Sequence, residues 1–157
     1  MQTGGDRCKL VGGELSILTG GNYATLTGGN NSVLTSGFAS TLVADYGSTL
    51  VAGNCSTLTA GDGSTLMGGV RCHLVAGNDS VLVGGEGCTL QAGDDSTLMG
   101  DRMCSLTWKV WQGDRYRIHT RYTGEDGIEV NRPYRGSFKA GVFVIERVSF
   151  PTSPTSV

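Results

Sequence analysis

Ala52-Gly53-Asn54-Cys55-Ser56-Thr57-Leu58-Thr59 is one copy of an octapeptide. Ala44-Asp45-Tyr46-Gly47-Ser48-Thr49-Leu50-Val51 precedes it and Ala60-Gly61-Asp62-Gly63-Ser64-Thr65-Leu66-Met67 follows it. Outward from these copies a leucine recurs at every eighth residue from Leu10 to Leu106 without a slip, which makes about thirteen copies. Three residues after nearly every leucine stands a glycine, with Asp45 and Asp101 as exceptions, and two residues before each leucine stands Ser, Cys or Ala.

An eight-residue period excludes a helical repeat. A 3.6-residue turn would carry the leucines around the helix, and a glycine in every copy would destabilise it by about 1 kcal/mol each. Extended backbone remains. Side chains alternate along a strand, so Ser48 and Leu50 point to one side and Thr49 and Val51 to the other. The Ala-Gly pair and the two variable residues after it then turn the chain, the glycine supplying backbone angles that other residues avoid. The prediction is an all-β fold, a parallel β-solenoid with leucines and small residues inside and Thr/Val pairs outside.

The cysteines set the size of a coil. Cys8, Cys72, Cys88 and Cys104 all occupy the small-residue position and are separated by multiples of sixteen, while the intervening octapeptides carry Ser16, Ser32, Ser48, Ser64, Ser80 and Ser96 there. Alternate octapeptides are therefore distinct, as the two sides of a flattened coil of about 16 residues would be. Thirteen copies give about six and a half coils, a stack of roughly 30 Å at about 4.8 Å per rung.

The composition fits this reading. The chain has 26 glycines in 157 residues, more than twice the usual share of about 7%, yet they are periodic, which argues against a disordered low-complexity tract. All three prolines (Pro133, Pro151, Pro154) lie outside the repeat, where no ladder N–H is lost. Charge is uneven. Residues 1–107 carry Arg7, Lys9, Arg71 and Arg102 against nine acidic side chains, whereas residues 108–157 carry eight basic against five acidic. An acidic rod without a basic stripe offers no footprint for nucleic acid, and the basic end suits docking on acidic rods of other copies. No stretch approaches the roughly 18 apolar residues of a membrane span, and the start lacks the pattern of a signal peptide. Because Gly4 to Leu10 already read as repeat, the natural polypeptide is open to extension at its N-terminus.

Three segments follow: a solenoid over 1–107, a C-terminal β-hairpin cap over 108–150, and a disordered tail over 151–157. In the cap, Thr107 to Trp111 leads into a turn at Gln112-Gly113-Asp114, and Arg115 to Tyr122 alternates as a second strand. Thr123-Gly124-Glu125-Asp126-Gly127 reads as the next turn, and Val142 to Ile145 as another strand. Both tryptophans and most tyrosines lie here, so this segment is the natural lid for the last coil.

Chemistry-bearing residues are few. Cysteine at the small-residue position reads first as a buried substitute for serine. A Cys88–Cys104 disulfide suits the distance between rungs but not the parallel direction of their side chains, and Cys55 falls at a turn. Asp62, Asn78, Asp94 and Asp95 recur at turns, where calcium binding competes with their ordinary role as turn formers. His73 and His119 have no nucleophile or acid beside them in sequence. No catalytic residue, metal ligand, cofactor or small-molecule substrate is assigned.

The octapeptides quoted above resemble the A-G-x-x-S-T-x-T repeats of bacterial ice nucleation proteins. Cys104-Ser105-Leu106, Trp111-Gln112-Gly113-Asp114-Arg115-Tyr116, Arg121-Tyr122-Thr123-Gly124-Glu125-Asp126-Gly127-Ile128-Glu129 and Pro133-Tyr134 resemble their C-terminal region. The resemblance implies a solenoid of sixteen residues per coil, displayed at the outer membrane surface of Gram-negative bacteria, whose outward Thr-x-Thr rows order water into an ice-like layer. It also implies that the last coils and the cap help copies assemble into homo-oligomers. Thr25, Thr27, Thr41, Thr49, Thr57, Thr59 and Thr65 are the matching water-ordering candidates. Trp108, Trp111, Arg115, Tyr116, Arg121 and Tyr122 are the assembly and cap candidates. The family's N-terminal domain has no counterpart here, members carry dozens of coils, and only two copies here hold a full Thr-x-Thr, so the chain looks like the C-terminal end of such a protein or a short relative. The other reading is a structural or adhesive surface rod.

Overall fold

Each octapeptide contributes one short strand centred on its leucine. The computed structural model describes residues 1–150; the tail expected over 151–157 lies outside the described residues. The strands run β1 (Gln2–Thr3), β2 (Lys9–Val11), β3 (Ile17–Thr19), β4 (Thr25–Thr27), β5 (Val33–Thr35), β6 (Thr41–Val43), β7 (Thr49–Ala52) and β8 (Thr57–Thr59). They continue with β9 (Thr65–Gly68), β10 (His73–Val75), β11 (Val81–Gly84), β12 (Thr89–Ala92), β13 (Ser96–Gly100) and β14 (Ser105–Trp111). After the repeat come β15 (Tyr116–Tyr122), β16 (Tyr134–Lys139) and β17 (Val142–Arg147).

The coil is sixteen residues, as the cysteine spacing predicts. Leu26 pairs in parallel with Leu10 on one side and Leu42 on the other, and Leu34 with Leu18 and Leu50. Odd strands β1 to β13 form one sheet and even strands β2 to β14 the other, each extended by cap strands. One more rung exists than the leucines announce: Gln2 and Thr3 pair with Leu18 and Thr19. Leucines from Leu18 to Leu106 are at most 1% exposed, each stabilising the stack by about 1.5–3 kcal/mol.

The small-residue position does more than fill space. The N–H of Ser32 donates to Ser48 Oγ at 3.1 Å, that of Ser40 to Ser56 Oγ at 3.1 Å and that of Ser80 to Ser96 Oγ at 3.1 Å. Each hydroxyl donates in turn to a glycine carbonyl of the rung below, as Ser48 Oγ does to Gly29 O at 3.2 Å. Cysteine keeps this pattern: the N–H of Cys72 donates to Cys88 Sγ at 3.2 Å, and Cys88 Sγ donates to Gly69 O at 3.0 Å. The interior is thus a leucine stack flanked by polar ladders whose buried serines and cysteines have partners, while Ser36 Oγ, off the ladder, is buried without one.

The turns correct one expectation. The glycine after each leucine does not supply the unusual backbone angle; the second variable residue does. In all thirteen copies that residue, from Arg7 and Leu15 to Asp95 and Met103, has φ between 51° and 69°, and only three are glycine (Gly47, Gly63, Gly87). The repeat glycines are required for close approach instead. A Cβ on Gly53 would lie 3.0 Å from Gly37 C and Phe38 N, and one on Gly61 2.9 Å from Tyr46 N. Gly5 and Gly13, with no complete coil beneath them, would meet nothing within 4 Å.

The cap closes both sheets at once. β14 runs from the last rung into the lid without a break and turns back as antiparallel β15. On the other sheet β16 pairs antiparallel with β13, placing Tyr134 opposite Leu98, and β17 completes a second hairpin. The strand over Tyr134–Lys139 and the two-hairpin arrangement are additional to the elements legible in the sequence.

Candidate functional site

Threonine dominates the outward positions, and the register decides which threonines are neighbours. Thr25, Thr41 and Thr57 form one column on β4, β6 and β8, which His73 and Thr89 continue. Beside it Thr27, Val43 and Thr59 form a second column. Thr25, Thr41 and Thr57 are exposed, and Thr27 and Thr59 half-buried. Rungs stand about 4.8 Å apart and alternate residues of a strand nearly 7 Å apart, so these hydroxyls and methyls mark out a flat grid. Branching at Cβ restricts each threonine to few rotamers.

Thr49 and Thr65 do not join this grid. They pair with each other on β7 and β9 of the opposite sheet. That sheet carries another threonine column, Thr3, Thr19 and Thr35 on β1, β3 and β5. Thr19 and Thr35 follow repeat leucines; Thr3 precedes the first one but stands sixteen residues, one coil, before Thr19.

The turn carboxylates and amides are engaged in the stack. Asp6 Oδ1 accepts the N–H of Asn22, and Asn22 Oδ1 that of Phe38, both at 2.8 Å. On the other edge Asp62 accepts from Asn78 and Asn78 from Asp94, again at 2.8 Å, and Asp94 from Phe138 of the cap at 3.0 Å. Among the described residues no group of three or more His, Cys, Asp or Glu is placed to hold a metal ion. All five cysteines are free: Cys55 is exposed, as its turn position predicts, and Cys72, Cys88 and Cys104 are buried. The Cys104 and Cys72 sulfurs next to it, together with burial, push the Cys88 thiol well above its ordinary range.

The cap candidates divide into plug and surface. Trp108 is fully buried and its Nε1–H donates to Ser96 O at 2.9 Å. Trp111, Tyr116 and Tyr122 are more than half exposed. Trp111 and Tyr116 meet edge to face at 5.1 Å, and Lys109 Nζ lies 4.7 Å from the Tyr116 ring centre. Arg115 is exposed beside Asp114 at 3.8 Å, and Arg121 donates to Thr120 O at 2.9 Å.

The roles of four cap residues come only from their partners in the fold. Thr123 Oγ1 accepts the N–H of Cys104 at 3.0 Å and donates to Asp101 O at 2.7 Å, continuing the ladder. Tyr134 Oη accepts the N–H of Glu129 at 3.0 Å. Gly136 lies against Trp108, and His119 stacks on Phe143. Only Thr123 carries a signal, a hydroxyl residue just after the strand that covers the last rung. No helix among the described residues is long and apolar enough to cross a membrane, which says nothing of spans made from strands. Comparison with known proteins gives no match to a family model, a curated protein or a solved structure.

Proposed function

We propose that this protein is a non-enzymatic β-solenoid of the bacterial ice nucleation type, which orders water on outward threonine rows and assembles through its C-terminal coils and cap into larger nucleators. The observation that carries this reading is the grid on the even-strand sheet. Thr25, Thr41 and Thr57 stack in register, with Thr27 and Thr59 beside them, on a backbone whose rung spacing is fixed by hydrogen bonds. Such a surface holds hydroxyls and methyls at constant intervals, so water bound to one rung is in register with water bound to the next. The grid spans few rungs. A critical ice embryo needs a wide template, so copies must combine for the surface to nucleate rather than merely bind.

Assembly by the cap is supported by its exposed aromatic and basic side chains (Trp111, Tyr116, Tyr122, Arg115) and by the acidic balance of the solenoid. Display at the outer surface of a Gram-negative cell belongs to the same proposal and rests on the resemblance of the repeats and tail.

The test is droplet freezing with monomeric and assembled protein, alongside the double variant Thr25→Lys, Thr57→Lys. Assembled protein should freeze supercooled droplets warmer than buffer does, and the double variant should lose that effect with its fold intact. Freezing curves identical to buffer for both monomer and oligomer would defeat the reading. Exclusion of a strictly monomeric protein from growing ice would favour a structural or adhesive rod instead.

A further inference from the structure

The two cap hairpins hang from different sheets, and His119 is one place where they meet. It lies on β15, whose partner β14 belongs to the even-strand sheet, while Phe143 lies on β17 at the edge of the odd-strand sheet. The two rings stack with centroids 3.9 Å apart and planes 12° from parallel. Phe143 also approaches Trp108, the cross-strand partner of His119, at 6.1 Å between ring centres. His119 Nε2 lies 3.2 Å from the Gln112 side-chain nitrogen. That amide donates, so the neutral ring accepts at Nε2 and carries its proton on Nδ1.

We propose that His119 is an acid-sensitive latch that holds the two halves of the cap together when neutral and releases them when protonated. A proton on Nε2 ends this hydrogen bond as it stands, and the Gln112 amide must turn over to present its oxygen. The proton also adds positive charge between Arg117 and Arg121 of the same strand, and a charged ring demands water on the face that Phe143 covers. Burial first, then the Arg121 and Arg117 charges, hold the imidazole below its ordinary value. The closed cap therefore binds the proton less readily than the open one. Its advantage is complete above about pH 6.5 and declines as pH falls below that value. On the second hairpin Lys139 pairs with Glu146, and Arg147 with Glu129 of the preceding loop, each at 3.3 Å, while Arg135 is exposed.

The latch is independent of the freezing reading, since its readouts are structural. Amide hydrogen exchange, corrected for intrinsic rates, would compare β16 and β17 with the rungs β4 to β12 between about pH 7.5 and about pH 5, above the ordinary carboxylate range of about 3.9–4.3. The expected result is a gain of about fivefold in exchange on acidification, confined to the second hairpin. His119→Phe keeps a ring on Phe143 and removes the titration, so the acid-induced gain should vanish. Unchanged protection of the wild-type hairpin, or the same gain in His119→Phe, would overturn the proposal. A wild-type measurement needs no variant: the Phe143 ring resonances should move with the midpoint of the His119 imidazole protons, and a Phe143 ring indifferent to that titration overturns it equally.

Discussion

Thr123 Oγ1 receives the N–H of Cys104 at 3.0 Å, the bond that lower rungs make to a hydroxyl or thiol sixteen residues further on. With no further coil of repeat to stack above Cys104, the chain returns from β15 and supplies a hydroxyl from the turn. The ladder ends satisfied rather than open, and the same oxygen donates to Asp101 O.

Thr123→Val keeps the shape and removes the hydroxyl. Leaving the Cys104 N–H and Asp101 carbonyl without this partner should destabilise the protein by about 1–3 kcal/mol. Thr123→Ser should retain most of the stability. Urea unfolding of the three proteins measures the difference, and equal midpoints for Val and wild type would show that the hydroxyl contributes nothing.

Gly136→Ala tests the fit of the lid. A Cβ there would stand 2.6 Å from Trp108 Cγ and 2.7 Å from Phe143 Cζ, so the two rings that close the core must shift. A loss of about 1–3 kcal/mol is expected, with altered fluorescence of buried Trp108. Unperturbed melting and emission would mean that the hairpin yields freely.

Leu15→Gly should go the other way. Leu15 holds φ at 55° with its side chain 75% exposed. A left-handed conformation costs a non-glycine residue roughly 1–2 kcal/mol, part of which the greater unfolded-state freedom of glycine cancels. A net gain of up to about 1 kcal/mol is expected, read as a raised thermal midpoint; a lowered one would show that Leu15 packs against something its exposure hides.

Thiol labelling of the native protein should distinguish the cysteines. Cys55 should react first and half-buried Cys8 more slowly. Cys72, Cys88 and Cys104 should react only on unfolding, because their sulfurs are buried and hydrogen-bonded between rungs and the Cys88 thiol is held protonated. Labelling of all five at one rate in native buffer would contradict the ladder.

The strand, the coil and the inward face of the solenoid follow from the repeat alone. An eight-residue leucine period admits extended backbone alone, and cysteines spaced by multiples of sixteen distinguish alternate octapeptides, so Leu50 and Ser48 are assigned to the interior without coordinates. Features that depend on contact between coils emerge only in the fold. The turn glycines serve close approach, as at Gly53 over Gly37, because the height of the neighbouring rung is a property of the stack and not of the octapeptide. The separation of Thr49 and Thr65 from Thr25, Thr41 and Thr57 was already legible, because they fall in alternate octapeptides and hence on opposite sides of the coil. The cap lay furthest from sequence reading, because no repeat governs it. Thr123, Gly136 and His119 act through partners far along the chain, and only folding brings those partners within reach.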